Sequence, residues 1–251
     1  MYTEVSSIED GRIRLRGQDL AEEVIGHLSF TQAIHLAIRG TLPDEGDVKV
    51  LDAVLVALID HGVTSSTLAA RMTYRAAPEA LQGAMAAGVL NSGGRVLGAM
   101  EGCGRLLADW AERANTDGVE STADALVTAE RDAGRRVPGL GHAQHEHGDI
   151  RADRLFEVAA EAGRDGVHIA LLRGVVDAVE DQTGRALPVN VTGAIAAVLL
   201  DIGYPPELLR GFGILSRVPG LIAHLGEEME TGAGHKLVRH LQRGGVWDEL
   251  G

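Results

Sequence analysis

The residues best suited to chemistry in this sequence lie in a loop of proline and glycine that ends in a histidine, PGLGH at residues 138–142. Proline fixes one backbone angle, and glycine allows tight turns and a close approach to a ligand. Such a loop would present main-chain amides beside the imidazole of His142. Arg151 follows nine residues later, at a predicted helix start. This combination is typical of the rim of a pocket for a small anion.

Two further side chains of the same kind are placed where a helix ends or a loop begins. His61 follows a long predicted helix, and Arg217 precedes Pro219. Helix ends and loops can direct side chains from distant parts of a chain onto one ligand, and arginine binds carboxylates through paired, charge-assisted hydrogen bonds. Together with His142 and Arg151 they would suit a di- or tricarboxylate. The alternative is that each is a solvated or ion-paired surface group.

The same loop also offers a dense run of nitrogen and oxygen donors, which are His142, His145, Glu146, His147 and Asp149. Donors of these types bind zinc and other divalent ions. No pair of them has the helical spacing of a metal site with a remote third ligand, and a solvated charge run has the same composition. We therefore expect no metal site.

Composition limits the classes of partner and compartment. The net charge is −13, and no basic run offsets it, so we expect neither nucleic acid nor a membrane surface as partner. The single cysteine, Cys103, excludes an internal disulfide and fits a buried position in a reducing compartment. With no signal peptide and no apolar run approaching ~18 residues, we expect a soluble, cytoplasmic protein.

Helical periodicity dominates the chain after a short hairpin signal at Asp10 and Gly11. Ser29 and Gln32 form a capping box before an apolar helical pattern that Gly40 ends. The patterns predict helices at residues 30–39, 48–61, 69–76 after a cap at Ser65 or Ser66, 79–90, 97–114 and 121–133. Further helices are predicted from Asp149 or Ala152 to residue 162 and at 167–181, 192–202, 206–215 and 219–229, with a tail at 232–251 that is a short helix or poorly ordered. The sequence thus predicts an all-α protein.

Domain organisation is suggested by the span between two core helices. Residues 118–187 bracket the His142 loop and are predicted to form a small helical domain, while residues 1–117 and 188–251 form a larger one. In the larger part, the helix at 79–90 has a face of glycine and alanine. Such a face suits close helix packing, within the chain or across a subunit boundary.

In identity and order, several motifs resemble those of the citrate synthase and citryl-CoA lyase family. The resemblance covers nearly the whole chain and rests on RGQDL at residues 16–20, residues 29–43, DHG at 60–62, the loop at 137–151, LPVNVTG at 187–193 and SRVPGLIAH at 216–224. It implies an all-helical citrate synthase-like fold with a large and a small domain, a homodimer, and an active site between the domains.

The resemblance also implies a chemistry. Family members join or cleave a carbon–carbon bond between an acetyl-CoA enolate and a 2-oxo acid such as oxaloacetate. An aspartate takes the methyl proton, one histidine stabilises the enol oxygen, and a second polarises the keto carbonyl. His142 matches the carbonyl-polarising histidine, and His61, Arg151 and Arg217 match carboxylate-binding positions. The adenine end of CoA is received by the segment that matches Val137, Pro138, Gly139, Leu140 and Gly141. No cofactor is expected to be tightly bound, since CoA enters as a thioester substrate.

The sequence departs from the family pattern on the enolate side of this site. The family's enol-stabilising histidine aligns with Val96, or with Leu97 after a shift of one residue, and its aspartate aligns with Thr192. A neutral hydroxyl cannot act as a general base near pH 7, and each loss is expected to cost a factor of roughly 10² to 10⁴. We therefore predict a poor citrate synthase, with Thr192, Glu101 or His145 as substitutes for the missing groups.

Three functional hypotheses remain open. The first is an enzyme of this family with altered, non-enolate chemistry, such as cleavage, decarboxylation or cyclisation of a citrate-like acid or its CoA thioester. The second is an ordinary citrate synthase or citryl-CoA lyase whose missing groups come from neighbours or from a partner subunit. The third is an inactive family member that senses a carboxylate or CoA ester, or regulates an active homologue.

Overall fold

A small antiparallel sheet precedes a series of helices in the computed structural model, which describes residues 3–94, 97–141 and 148–243. The strands are β1 (Ser6–Glu9), β2 (Arg12–Leu15) and β3 (Gln18–Asp19), in the order β1-β2-β3, and a π-helical turn follows at Leu20–Val24. The helices are α1 (Phe30–Arg39), α2 (Glu45–Ala57), α3 (Ser65–Ala76), α4 (Leu81–Leu90), α5 (Gly98–Asp117), α6 (Val119–Asp132), α7 (Ile150–Glu161), α8 (Val167–Thr183), α9 (Val191–Asp201), α10 (Leu209–Thr231) and α11 (Ala233–Gln242), with a 3₁₀ turn at Pro206–Leu208. The all-α class with a short hairpin is confirmed.

Local signals in the first forty residues fold as the sequence predicts. Asp10 and Gly11 both have positive φ, 51° and 76°, which is the turn type that matches the twist of two antiparallel strands. The capping box is formed in both directions: the Ser29 hydroxyl accepts from the Gln32 amide at 3.2 Å, and the Gln32 side chain accepts from the Ser29 amide at 2.8 Å. Gly40 ends α1 with a φ of 78°.

Two predicted helix boundaries are wrong. The second helix ends at Ala57 and does not continue to residue 61, so a turn carries His61. The two helices predicted on either side of Pro219 are one continuous helix, α10. Proline removes one backbone hydrogen bond, but residues on both sides of it, such as Phe212 and Leu225, are buried on the core. Tertiary packing along the whole helix offsets the local cost of the proline.

Helix α9 lies at the centre of the hydrophobic core. Every residue from Ala194 to Leu199 is fully buried, and α5, α7 and α8 pack around it. The main core cluster joins α1 and α2 to the helices from α5 to α10 and therefore runs across the predicted domain boundary. A smaller cluster of Ala70, Ala84, Leu221 and Leu225 joins α3, α4 and α10. The division into two domains stays a prediction.

The glycine and alanine face of α4 is used within the chain. A Cβ at Gly88 would meet Leu221 at 2.8 Å and Ala70 at 3.2 Å, so the missing side chain lets α4 approach α10 and α3 closely. Leu81, at the start of α4, and Leu90, at its end, are exposed. In the part of the chain that the structure describes, no helix combines the length and apolar character needed to cross a membrane.

Candidate functional site

A cavity of about 390 Å³ lies where the turn after α2 meets the starts of α3, α7 and α9 and the middle of α10. It brings together His61, Arg151, Thr192 and Arg217, which are four of the residues that the sequence predicts for the site. The remaining lining consists of Leu58, Thr64, Ser65, Ser66, Ser92, Leu97, Ala99, Asn190 and Val191. Two cations and a group of hydroxyls therefore surround one space.

The turn that carries His61 is held against α10. The Asp60 carboxylate accepts a hydrogen bond from the Gly62 amide at 2.8 Å through Oδ2, and Oδ1 lies 3.0 Å from Nε2 of His224. A Cβ at Gly220 would collide with the carbonyl oxygen of Ile59, so only glycine allows this contact. The close approach places His61 at the cavity, beside the helix that bears Arg217.

Arg151 is fixed by a buried carboxylate. Its Nε and terminal nitrogen donate to the two oxygens of Asp149 at 2.9 and 2.8 Å. The same carboxylate accepts from the amides of Arg151 at 3.1 Å and Val191 at 3.0 Å, and Asp149 is only 3% exposed. Paired hydrogen bonds of this type hold a guanidinium plane in one orientation. Asp149 thereby joins the first turn of α7 to the first turn of α9 and orients Arg151.

The environment of Asp149 predicts a loss of stability in acid. Burial by itself raises its pKa, but the Arg151 guanidinium and the Val191 amide outweigh burial and lower it. Because the folded pKa is below that of the unfolded chain, about 3.9, the stabilisation is complete above that value and is lost as the pH falls through the folded pKa. Asp149→Asn should cost about 3 kcal/mol of unfolding free energy at pH 7, because it leaves Arg151 without its partner.

Urea unfolding of both proteins from pH 7 to pH 2 measures this effect. The two curves should converge below about pH 4, whereas Asp132→Asn, at an exposed aspartate, should follow the original chain throughout. A constant difference between D149N and the original chain across the whole range would contradict the assignment.

Arg217 is the second cation of the cavity. Burial lowers its pKa, the charge of Asp60 raises it, and the charge of Arg151 lowers it further. The two guanidiniums are thus close enough to act on each other. Among the described residues, no carboxylate lies within ion-pair distance of Arg217. An arginine normally stays charged near neutral pH, so this side of the cavity carries positive charge that a bound anion could neutralise.

The start of α9 provides the polar wall of the cavity. Oδ1 of Asn190 accepts hydrogen bonds from the amides of Thr192 and Gly193, both at 3.1 Å, and from the Thr192 hydroxyl at 2.6 Å. The amide group of Asn190 donates to the carbonyl of Gly141 at 2.8 Å. The proton of the Thr192 hydroxyl is therefore used in capping α9. Thr192 contributes a hydroxyl oxygen to the cavity and not a carboxylate.

The predicted cofactor-binding segment, residues 137–141, packs on the segment before α9. The Gly141 amide donates to the Pro188 carbonyl at 2.7 Å, and the Asn190 amide donates to the Gly139 carbonyl at 3.0 Å. A Cβ at Gly139 would lie 2.8 Å from both Sγ of Cys103 and Cα of Gly193, so this approach requires glycine. None of the five residues lines the 390 Å³ cavity.

His142 and His145 lie outside the described residues, as does Val96.

Glu101 does not reach the cavity. Its carboxylate forms ion pairs with Arg105 at 3.0 Å and with Arg210 at 2.9 Å, on the side of α5 that faces the start of α10. Because these ion pairs hold the carboxylate outside the cavity, the geometry does not support Glu101 as a catalytic substitute. The part of α5 that does line the cavity is its apolar start, Leu97 and Ala99.

Sequence reasoning missed several residues of the site. The hydroxyls of Thr64, Ser65, Ser66 and Ser92 line the cavity. The first three form a run that reads only as a helix start, and the observed cap is Thr64, whose hydroxyl accepts from the Thr67 amide at 3.3 Å. Asp149 could be recognised as a helix start, but not as the partner of Arg151. The described residues include no group of three His, Cys, Asp or Glu side chains that could hold a metal.

The fold is helical, and two arginines and a histidine from separate elements line one cavity. Both features agree with the family to which the motifs are similar. The family profile described as citrate synthase, C-terminal domain, matches residues 12–241. This chain belongs to the citrate synthase family.

Individual relatives refine this placement. "Citrate synthase 2" of Bacillus subtilis is 26% identical over 206 residues, which cover 80% of this chain and 52% of that protein. The chain thus spans about half the length of this relative. Citryl-CoA lyase from Hydrogenobacter thermophilus has a similar structure with a TM-score of 0.85 and 33% identity, covering 92% of this chain and 88% of the other. ATP citrate lyase from Methanothrix soehngenii, solved with citrate and coenzyme A, has a TM-score of 0.76, 21% identity, and coverage of 92% and 39%.

Proposed function

We propose that the chain binds a citrate-like tricarboxylate, its CoA thioester or the corresponding 2-oxo acid in the 390 Å³ cavity, and acts on a carbon–carbon bond as a citryl-CoA lyase-like enzyme. The observation that carries the proposal is the pair Arg151 and Arg217. One guanidinium is held in place by Asp149, and the other has no carboxylate partner among the described residues. Two such cations at one cavity suit two carboxylates of one ligand.

The other lining groups support the same class of ligand. Citrate carries a hydroxyl and a third carboxylate, and the hydroxyls of Ser65 and Ser92 line the same space, while Thr192 offers an acceptor oxygen to the ligand's hydroxyl. Hydroxyls donate and accept hydrogen bonds without adding negative charge. No Asp or Glu side chain lines the cavity among the described residues, so the anionic ligand meets no fixed negative charge there.

The lining of the cavity also favours a change in how the acetyl group of the thioester is deprotonated and its enolate stabilised. Condensation requires a base that removes a methyl proton from acetyl-CoA and a donor to the enol oxygen. The resemblance aligns these groups with Thr192 and with Val96 or Leu97, and both Thr192 and Leu97 line the cavity. Cleavage of a citryl thioester runs the condensation in reverse: the tertiary hydroxyl loses its proton, and the bond to the acetyl carbon breaks with its electron pair passing into the acetyl-CoA enolate. In this cavity, whose described lining holds no carboxylic acid, that enolate would take up its proton from water. Within the proposal, His142 handles the hydroxyl proton.

The proposal includes a CoA thioester and a second copy of the chain. The segment 137–141 would receive the adenine end of CoA through its backbone, beside the start of α9. A homodimer could cover exposed apolar side chains of α4 and α10, which are Leu81, Leu90, Ile222 and Met229. The similarity to citryl-CoA lyase over nearly the whole chain supports the CoA thioester as ligand.

An assay of both reaction directions tests the proposal. We expect the purified chain to form oxaloacetate from citryl-CoA, and to release free CoA from acetyl-CoA and oxaloacetate at least about 10²-fold more slowly than an ordinary citrate synthase. Condensation at a rate normal for the family would contradict the altered chemistry.

The second candidate function is an inactive family member that senses a carboxylate, which the absence of Asp and Glu from the described lining of the cavity favours. It predicts thermal stabilisation by citrate or oxaloacetate with no turnover in either direction. Stabilisation by neither acid would contradict both candidates.

A further inference from the structure

One face of α10 carries a row of groups that meets the turn at residues 59–62. Arg217, Gly220, His224 and Glu228 follow each other at intervals of three or four residues and therefore lie on the same side of the helix. At Gly220 the turn contacts the helix backbone, and a Cβ there would be 3.2 Å from Oδ1 of Asp60. The Asp60 carboxylate thus lies between two basic side chains of α10.

Asp60 is hydrogen-bonded on the side away from Arg217. His224 lies 3.0 Å from Oδ1, and the Gly62 amide donates to Oδ2 at 2.8 Å. Burial raises the pKa of Asp60, and these two groups outweigh it and lower the pKa. The negative charge of Asp60 acts on Arg217, yet the two form no ion pair. A carboxylate that can reach an arginine in a half-buried site would compete with an anionic ligand for it.

A second contact determines which nitrogen of His224 carries the proton. The Arg71 guanidinium lies 2.7 Å from Nδ1 of His224, and a guanidinium only donates, so Nδ1 accepts. The proton is therefore on Nε2, from which it is donated to Asp60. Arg71 is itself held by ion pairs with Glu227 and, at 3.2 Å, with Glu228. Glu228 also accepts from the Gly234 amide at 2.8 Å, which ties the start of α11 to this network.

We propose that His224 is a positioning residue that holds the Asp60 carboxylate away from Arg217 and so keeps Arg217 available for a carboxylate of the ligand. The inference rests on the proposed function, because it concerns the ligand of the same cavity. It assigns a role to three residues outside that cavity: Asp60 is the competing anion, His224 restrains it, and Arg71 fixes the tautomer of His224.

Two conservative variants of His224 separate this role from simple packing. His224→Asn keeps an acceptor near the Nδ1 position for Arg71 but is too short to donate to Asp60. His224→Gln reaches Asp60 with its amide nitrogen. In titration calorimetry with citrate at low salt, we expect H224N to raise Kd by about tenfold or more, because Asp60 can then pair with Arg217 and compete with the ligand. We expect H224Q to raise Kd by less than about threefold, because it still restrains Asp60.

Removing the competing charge should reverse the effect. Asp60→Asn in the H224N background should restore the citrate Kd to within about threefold of the original chain, since a neutral amide does not pair with Arg217. If His224 had only a structural role, the double variant should bind citrate more weakly than H224N, because the second substitution would loosen the turn further. An unchanged Kd in H224N, or a double variant no better than H224N, would overturn the proposal.

A control and a reference measurement complete the experiment. His168→Asn removes a comparable histidine–aspartate contact, at 2.7 Å from Asp201 and away from the cavity, and should leave the citrate Kd unchanged. Circular dichroism verifies that each variant is folded. If the original chain binds neither citrate nor oxaloacetate, the proposed function fails; if it binds them and H224N binds equally well, only this inference fails.

Discussion

Arg217→Ala is expected to weaken the binding of citrate and oxaloacetate by a factor of at least about 30. Arg217 is half-buried, lines the cavity, and has no carboxylate partner among the described residues. Removing one member of a charge pair that forms in a partly buried site costs about 2–5 kcal/mol, which corresponds to a factor of about 30 to several thousand in Kd. Titration calorimetry with each acid measures the loss.

Two variants define the origin of this effect. Arg217→Lys keeps the charge but loses the paired hydrogen bonds, and should lie between the original chain and R217A. Arg210→Ala removes an arginine of the same helix that is paired with Glu101 at 2.9 Å and does not line the cavity, so it should leave Kd unchanged. If R210A and R217A weakened binding equally, the ligand would not be held by the cavity described above.

Gly193→Ala should destabilise the fold more than a helical glycine-to-alanine change normally does. A Cβ at Gly193 would lie 2.5 Å from the carbonyl oxygen of Gly139 and 2.9 Å from its Cα, and backbone atoms cannot rotate away as a side chain does. Overpacking of this kind costs about 2–3 kcal/mol, which lowers the melting temperature of a chain of this size by roughly 5–10 °C. The change also separates the loop at 137–141 from the start of α9, so carboxylate binding should weaken.

Gly211→Ala is the matched control for this substitution. It also lies within a helix, but nothing is within 4 Å of the Cβ that it would add. Alanine is favoured over glycine in a helix by about 1 kcal/mol, so this variant should be slightly more stable than the original chain. Calorimetric melting of both variants gives the comparison. A G193A protein as stable as G211A would show that the loop does not approach α9 as closely as described.

The parts of the fold that depend on local chemistry could be predicted from the sequence. The hairpin turn at Asp10 and Gly11 and the capping box of Ser29 and Gln32 involve residues at most three positions apart, so their signals lie within the turn itself. The path of α10 through Pro219 could not, because the packing that offsets the proline involves residues far away in the chain.

The same distinction applies to the site. His61, Arg151, Thr192 and Arg217 could be predicted because the resemblance gives each a position, and the structure brings them to one cavity. Glu101 is predicted only as an acid near the family's motif, and its ion pairs with Arg105 and Arg210 hold it outside the cavity. The contact of Asp60 with His224 spans 164 positions, and no local pattern indicates such a pair.

A crystal structure of the chain with citrate bound tests the central claim most directly. We predict density for the ligand in the cavity, with one carboxylate within hydrogen-bond distance of Arg151 and another within hydrogen-bond distance of Arg217. Asp60 should remain on His224 in that structure. Citrate bound elsewhere on the chain, with Arg151 and Arg217 both making no contact to it, would contradict the account.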